Sequence, residues 1–232
     1  MMGTISVPSW VIPGTYLENL RFLEDKREVS GVELLFFLYD GKIRKMFDDE
    51  WEEILRYRER FVFTAHLPDR LLPGHRELVE RLAPVSRHFV VHPGPPGEAP
   101  ELASLVNRWA AEFPRCRFLA ENTGPGMVQA LLPRLDKDLG LCMDTGHLLL
   151  EGTDPAAWFA CHRERTAEVH LHGLDRDRAA LDGRLPDHRP PAADAAWFKK
   201  LRPLLDEFPG VINMEVFSWE EARQSIATFF SG

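Results

Sequence analysis

Histidine and acidic side chains recur along this sequence close to the ends of short apolar segments. Six of the nine histidines lie at such ends or in the long polar segment after the seventh of them, namely His66, His92, His147, His170, His172 and His188. Three acids interrupt otherwise apolar segments: Glu121, Asp144 and Glu215. A buried carboxylate is unfavourable unless it is paired, hydrogen-bonded or bound to a metal. Divalent ions take both carboxylates and neutral imidazoles as ligands, so the pattern predicts a metal site.

Each of these residues, taken singly, has a simpler interpretation. A histidine at a strand end is more often a hydrogen-bonded core residue than a ligand, and a single acid there can pair with an arginine. The set as a whole favours a metal-binding site over these simpler interpretations. His172 shares a strand face with His170 and could line a pocket instead of binding an ion. Asp187 and His188 are adjacent in the polar segment, and the sequence leaves open which of them is a ligand.

Predicted strands and helices, which would position these residues, alternate regularly along the sequence. Apolar, β-branched or aromatic runs predict eight strands, at residues 4–7, 31–39, 61–66, 89–92, 117–121, 140–144, 168–172 and 211–217. Segments with helical spacing follow them, at residues 16–27, 49–60, 74–83, 100–113, 125–137, 155–165, 193–208 and 219–230. Start signals agree, because Asp154 precedes a proline, and Ser218 and Glu221 have the spacing of a capping box.

Eight strand–helix pairs of about 30 residues each predict one α/β domain over residues 1–232, a (β/α)8 TIM barrel. The alternative is a doubly wound open sheet, which usually has fewer units and a glycine-rich phosphate loop after its first strand. Residues 8–14, which follow the first predicted strand here, do not form such a loop. The C-terminal ends of all strands meet at one rim of a barrel. We therefore expect the histidines and carboxylates to converge there.

Charge and composition narrow the class of partner. The formal net charge is −8, and no run of Lys and Arg is longer than Lys199 and Lys200, which argues against a nucleic-acid substrate. No segment approaches the roughly 20 apolar residues of a membrane span, and the N-terminus has no signal-peptide pattern. The three cysteines fit no zinc-ribbon spacing. We expect a cytoplasmic protein with reduced thiols that acts on a small molecule.

The ordered motifs resemble those of the xylose-isomerase-like barrel superfamily, and within it most closely the branch of the type IV abasic-site endonucleases. These motifs are His66, His-Pro-Gly at 92–94, Glu-Asn-Thr at 121–123, Asp-Thr-Gly-His at 144–147, His170 and Glu215. The stretches 9–16 and 33–40 are also similar to cobamide-remodelling phosphodiesterases within the superfamily. The endonucleases have Asp-x-His after strand seven, whereas Asp187 and His188 are adjacent here.

The resemblance implies a cluster of two or three divalent ions, zinc in the first place and manganese in the second. By the same resemblance, His66 and His92 would bind one ion, and Glu121 would bridge it to another. The second ion would be completed by Asp144, His170 and Glu215. His147 and His188 would hold the third.

The first functional hypothesis is metal-assisted hydrolysis of a phosphodiester in a small molecule, such as the nucleotide loop of a cobamide. A bound water would attack phosphorus while another ion stabilises the leaving oxygen. The predicted catalytic residues are Glu121, Glu215 and His172. Arg184 or Arg189 would clamp the phosphate, and Trp10 and Tyr39 would offer apolar surface to a large ligand.

The alternative hypothesis is a sugar or sugar-phosphate isomerase or epimerase. It needs one ion, bound by Glu121, Asp144, His170 and Glu215, with the two glutamates moving a proton at carbon. A one-ion enzyme has no need of the additional imidazoles of His66 and His92, which favours the hydrolase at this stage. A third hypothesis is a metal- or corrinoid-binding module without activity. The sequence leaves the substrate, the native metal and the oligomeric state open.

Overall fold

Eight parallel strands form a closed barrel in the computed structural model, which describes residues 3–136, 139–175 and 187–231. Each strand pairs with its neighbours in the chain, and the first pairs with the last. The strands are β1 (Thr4–Pro8), β2 (Gly31–Leu35), β3 (Val62–His66), β4 (Ser86–Val91), β5 (Arg117–Glu121), β6 (Gly140–Asp144), β7 (Thr166–His170) and β8 (Val211–Asn213). This confirms the predicted (β/α)8 barrel.

Three strands end at least two residues earlier than the apolar pattern predicts. β2 stops at Leu35, not at residue 39, and β7 and β8 stop at His170 and Asn213. Side chains beyond these points remain buried, as Phe36 and Val216 are. Burial continues past the last ladder hydrogen bond, so hydrophobicity alone could not locate the strand ends. His172 and Glu215 therefore lie in the loops that follow the strands.

The helices surround the barrel. Those described are α1 (Tyr16–Leu23), α2 (Gly41–Ile54), α3 (Arg76–Leu82), α4 (Ala99–Glu112), α5 (Met127–Leu131), α6 (Thr145–Leu150), α7 (Pro155–His162), α8 (Ala196–Leu205) and α9 (Trp219–Ser231). Short 3-10 turns occupy Leu55–Glu59, Pro73–His75, Pro96–Glu98 and Leu132–Arg134. Asp154 caps α7, and the hydroxyl of Ser218 accepts a hydrogen bond from the backbone N–H of Glu221, as the sequence predicts.

Two helices differ from their predicted ranges for identifiable reasons. α2 begins at Gly41, eight residues before the predicted start at 49, because the Asp40 carboxylate accepts hydrogen bonds from the backbone N–H groups of Lys42 and Ile43, each at 2.9 Å. α5 ends at Leu131 and continues only as a 3-10 turn that contains Pro133. A proline has no N–H for the helical hydrogen bond, so the helix cannot extend to residue 137.

The buried side chains form two groups. The main core lies between the barrel and the helices and includes Leu20, Phe47, Trp109 and Phe159. A small separate group packs Val90, Leu119, Cys142 and Ala167 together. Residues two apart on a strand point to the same face. Glu121 and Asp144 therefore lie one step nearer the rim than Leu119 and Cys142.

Two further observations concern the chain as a whole. Cys116, Cys142 and Cys161 are all free thiols. Within the described residues, no helix combines the length and the apolar character that a membrane crossing requires.

Candidate metal centre

Four side chains from neighbouring strands meet at the C-terminal rim. Glu121, Asp144 and His170 are the last residues of β5, β6 and β7, and Glu215 follows β8 by two residues. All four are at most 3% exposed. One nitrogen or oxygen atom from each lies within 4.8 Å of the corresponding atoms of the others. The structure thus brings these residues close enough to share one ion.

Two buried atoms of this group have no hydrogen-bond partner among the described residues. They are Nδ1 of His170 and Oε2 of Glu215. Nδ1 of His170 lies 2.6 Å from Oε1 of Glu121 and 3.3 Å from Oε2 of Glu215, without hydrogen-bond geometry. Buried polar atoms without partners are rare in folded proteins, and an ion is one explanation for them. The donor set, three carboxylates and one imidazole, suits a divalent cation.

A fifth buried residue, Glu33 of β2, fixes the orientation of His170. Its Oε1 lies 3.1 Å from Nε2 of His170, and its Oε2 accepts a hydrogen bond of 2.5 Å from Nδ2 of Asn213. When Glu33 is ionised it can only accept a hydrogen bond, so Nε2 of His170 then carries a proton, and Nδ1 faces the centre. Burial raises the pKa of Glu33 to about 7, although the charge of His170 opposes the increase. Sequence reasoning missed Glu33, although it interrupts an apolar run as Glu121 does.

The acidic groups and His170 stabilise one another's charged forms. Burial alone would raise the pKa of Glu121 and of Glu215, but His170 outweighs it and holds both values well below the usual range. Burial would lower the pKa of His170, but the surrounding acidic groups raise it. Both glutamates are therefore ionised near neutral pH, which is the state in which they bind metal or accept a proton.

A second group adjoins the first through Glu121. Oε2 of Glu121 lies 2.8 Å from Nε2 of His92 and 3.4 Å from Nε2 of His66. Asp69, which sequence reasoning missed because it lies in the loop after β3, is 3.4 Å from Nδ1 of His92. His66, Asp69 and His92 have possible ligand atoms within 4.8 Å of one another. Burial would lower the pKa of His66, but Glu121 and then Glu33 raise it to about 9.

A third group contains His172, His188 and Glu215, again with possible ligand atoms within 4.8 Å of one another. The rings of His172 and His188 stack at 4.4 Å, and the backbone N–H of His188 donates to Nδ1 of His172 at 2.9 Å. Nε2 of His172 is 3.0 Å from Oδ2 of Asp144. Of the two adjacent residues in the loop, the structure brings His188 to this group, and Asp187 contacts His188 at 3.4 Å.

His147 lies at the rim, but outside the groups just described. Its backbone N–H donates to Oδ1 of Asp144 at 2.6 Å, and so Asp144 caps α6. Its Nδ1 lies 3.2 Å from the backbone oxygen of Asn122. The side-chain amide of Asn122 forms two hydrogen bonds of 2.8 Å with the backbone of Asp144 and so holds that residue in place.

The predicted substrate-binding residues lie in different surroundings. Trp10 is half exposed and lines a rim cavity of about 610 Å³. The ring of Tyr39 packs against Phe36 and His75, at 5.9 and 6.1 Å. Arg189 forms a salt bridge of 2.7 Å with Glu221. Arg184 lies outside the described residues.

Comparison with solved structures finds the same architecture. The structure is similar to the probable 3-DHS dehydratase of petrobactin synthesis from Bacillus anthracis, with a TM-score of 0.73 and 13% identity, over 98% of this chain and 97% of that one. It is also similar to 3-keto-D-glucoside 4-epimerase from E. coli, with a TM-score of 0.66 and 16% identity, over 99% and 98%. For endonuclease IV from Thermus thermophilus the TM-score is 0.59 and the identity 18%, over 98% of both chains.

No family model matches the sequence. No curated protein matches it either. These structures are all less than a fifth identical to this chain, so the likeness establishes the fold alone, a TIM barrel. That fold is shared by epimerases, a dehydratase and an endonuclease. The function must therefore be argued from the site.

Proposed function

We propose that this protein is a metal-dependent isomerase or epimerase that moves a proton at a carbon next to a carbonyl group of a small polyhydroxylated molecule. The observation that carries the proposal is the compact set of Glu121, Asp144, His170 and Glu215, in which two buried atoms have no hydrogen-bond partner among the described residues. Such a set suits one divalent ion, for which zinc and manganese are both candidates.

When bound, the ion would polarise the substrate's carbonyl oxygen and so acidify the neighbouring C–H bond. Glu121 and Glu215 would then transfer the proton. They extend from β5 and β8, which lie three strands apart around an eight-stranded barrel, so they approach the centre from different sides. One carboxylate would take the proton, and the other would return it to the opposite face or to the adjacent carbon. Their lowered pKa values keep both carboxylates ionised, which is the form that can accept a proton.

The similar structures support this choice over hydrolysis. Sugar epimerases recur among them, including D-psicose 3-epimerase and L-ribulose 3-epimerase, beside the dehydratase and one endonuclease IV. Epimerisation, isomerisation and dehydration of a hydroxy ketone can all begin by removing a proton from carbon. One pair of carboxylates serves each of these reactions.

The test is to incubate metal-loaded protein with ketoses, aldoses and keto-glycosides in D2O. We expect about one ion per chain by elemental analysis, and deuterium incorporation next to the carbonyl by NMR. Glu121→Gln and Glu215→Gln should each abolish incorporation. The matched control is Glu98→Gln, which makes the same change at an exposed position of the rim. A protein that binds two or three ions and exchanges no carbon-bound hydrogen would contradict the proposal.

A second candidate, hydrolysis of a small-molecule phosphodiester, is favoured by the second group at Glu121. His66, Asp69 and His92 offer three more donors beside a carboxylate that both groups contact. That arrangement suits a bridged pair of ions. His66→Ala separates the two candidates. In a hydrolase it should remove one ion and abolish cleavage of bis(p-nitrophenyl) phosphate or of a cobamide, whereas in an isomerase it should leave one ion and most of the turnover.

A further inference from the structure

An apolar cavity opens at the rim beside the candidate metal centre, over the loops that follow β1 and β2. Its volume is about 610 Å³, within the range of small-molecule sites. Its lining includes Trp10, Phe37, Leu38, Ile43, Met46 and Phe217. Aromatic and aliphatic side chains thus make up most of its wall.

Several of these side chains face solvent, which is unfavourable without a ligand. Trp10, Leu38 and Phe217 are 51%, 74% and 39% exposed. They are three of the seven large hydrophobic side chains that are exposed in the described part of the chain. Scattered exposed apolar residues are ordinary, but several around one concavity indicate a binding site.

The cavity adjoins the metal centre at two aromatic rings. The ring of Phe37 lies 4.5 Å from the ring of His66, and the ring of Phe217 lies 4.8 Å from that of His188. Both phenylalanines also line the cavity. Only the ring of Phe37 or Phe217 would therefore separate a molecule in the cavity from His66 or His188.

The charges around the cavity do not suit a phosphate group. Of the described residues that line it, Asp40 and Lys42 are charged, and their formal charges cancel. The Asp40 carboxylate already caps α2. A phosphorylated sugar would require a cluster of cationic donors, whereas this lining suits a neutral apolar group.

We infer that this cavity holds the apolar part of an amphiphilic substrate, such as a sugar or polyol with an aromatic or alkyl substituent, while its hydroxylated carbonyl part reaches the metal centre. The inference rests on the proposed function, and it names the substrate class of that site. A free sugar would leave the apolar wall uncovered.

The test measures binding of methyl, butyl, hexyl and octyl β-D-glucopyranosides to the full-length protein by calorimetry, below their micelle concentrations. Burial of each added methylene should increase the affinity about fourfold until the cavity is filled. Leu38→Asp should flatten this dependence on chain length. Leu72→Asp is the matched control, because Leu72 is also exposed but lines the rim cavity on the other side, near His92.

No dependence on chain length in the wild type, or an equal loss in Leu72→Asp, would overturn the inference. The same series with Glu121→Gln separates it from the proposed function, because apolar burial does not need the metal ligands. Chain-length dependence in that variant, with no deuterium exchange by the wild type on any sugar derivative, overturns the proposed function and retains the apolar site. If the wild type exchanges deuterium but its affinity does not depend on chain length, the apolar site is overturned and the proposed function is retained.

Discussion

Glu33 and His170 lie 3.1 Å apart inside the barrel, directly behind the candidate metal ligands, and each is fully buried. The contact holds the imidazole ring so that Nδ1 points at Glu121 and Glu215. A carboxylate behind a ligating histidine orients the ring and increases its basicity. Glu33 therefore belongs to the centre as a residue that positions His170.

Replacement of Glu33 should weaken metal binding without removing a ligand. Glu33→Leu leaves Nε2 of His170 without an acceptor, and we expect a loss of roughly 10- to 100-fold in affinity, measured by competition with a chelating dye. Glu33→Gln is the control, because an amide oxygen can still accept the hydrogen bond, and its loss should be much smaller. Equal affinity in the Leu variant and the wild type would exclude the positioning role.

The glycine of the Asp-Thr-Gly-His motif has a steric function that the structure explains. A Cβ added to Gly146 would lie 1.9 Å from Cε1 of His172. The ring cannot easily move away, because it contacts Asp144 at 3.0 Å and accepts the N–H of His188. His172 can therefore pack at the rim only because residue 146 has no side chain.

Gly146→Ala should displace His172 and disturb the group that includes His188 and Glu215. We expect at least a tenfold loss of turnover on any substrate found, with a folded protein by circular dichroism. Gly74→Ala is the control, because a Cβ there would meet no atom within 4 Å. Full activity in Gly146→Ala would show that the position of His172 is not needed.

The sequence predicted the barrel and its rim because both follow from periodic patterns. Alternation of apolar runs and helical segments specifies eight units, and a barrel places every strand end at one rim. Glu121, Asp144 and His170 each end a strand. These residues could therefore be grouped before any coordinates were known.

What escaped prediction depends on side-chain direction and on contacts between distant loops. Asp69 carries no strand-end signal, and only its 3.4 Å approach to His92 reveals it. The ring of Tyr39 packs on Phe36 and His75, contacts that the sequence does not reveal, and its role in substrate binding stays a prediction. Arg189 pairs with Glu221 of α9, a contact that the sequence does not reveal, and its role in phosphate binding stays a prediction. No local pattern encodes such partners, because most of them lie more than 20 residues away along the chain.

Tyr16 joins α1 to the end of β2, and its removal tests how that junction is stabilised. The hydroxyl donates a 2.7 Å hydrogen bond to the backbone oxygen of Leu35, and the side chain is buried. Burial also raises the pKa of Tyr16, so the phenol remains a donor. Tyr16→Phe should lower the free energy of unfolding by about 1–3 kcal/mol in urea titrations, because a buried hydrogen bond is lost.

Tyr57→Phe is the matched control, since its hydroxyl forms only a 3.5 Å contact with Glu24 at the surface. Its effect should stay within about 0.5 kcal/mol. Similar values for the two variants would mean that the hydrogen bond to Leu35 does not stabilise the junction.

Metal removal should destabilise the whole barrel, because the centre collects acids from separate strands. Glu121, Asp144 and Glu215 are all buried, and each has a carboxylate oxygen within 4.8 Å of one from each of the others. Without a cation these negative charges repel one another. An ion at a thousand times its dissociation constant adds about 4 kcal/mol to the free energy of unfolding. For a domain of this size that corresponds to an increase of roughly 10 °C in Tm.

Calorimetry before and after EDTA treatment measures the difference, and readdition of zinc or manganese should restore it. Glu121→Gln has one ligand and one negative charge fewer, so its Tm should respond much less to EDTA. An equal response in the variant and the wild type would place the stabilising ion elsewhere on the chain.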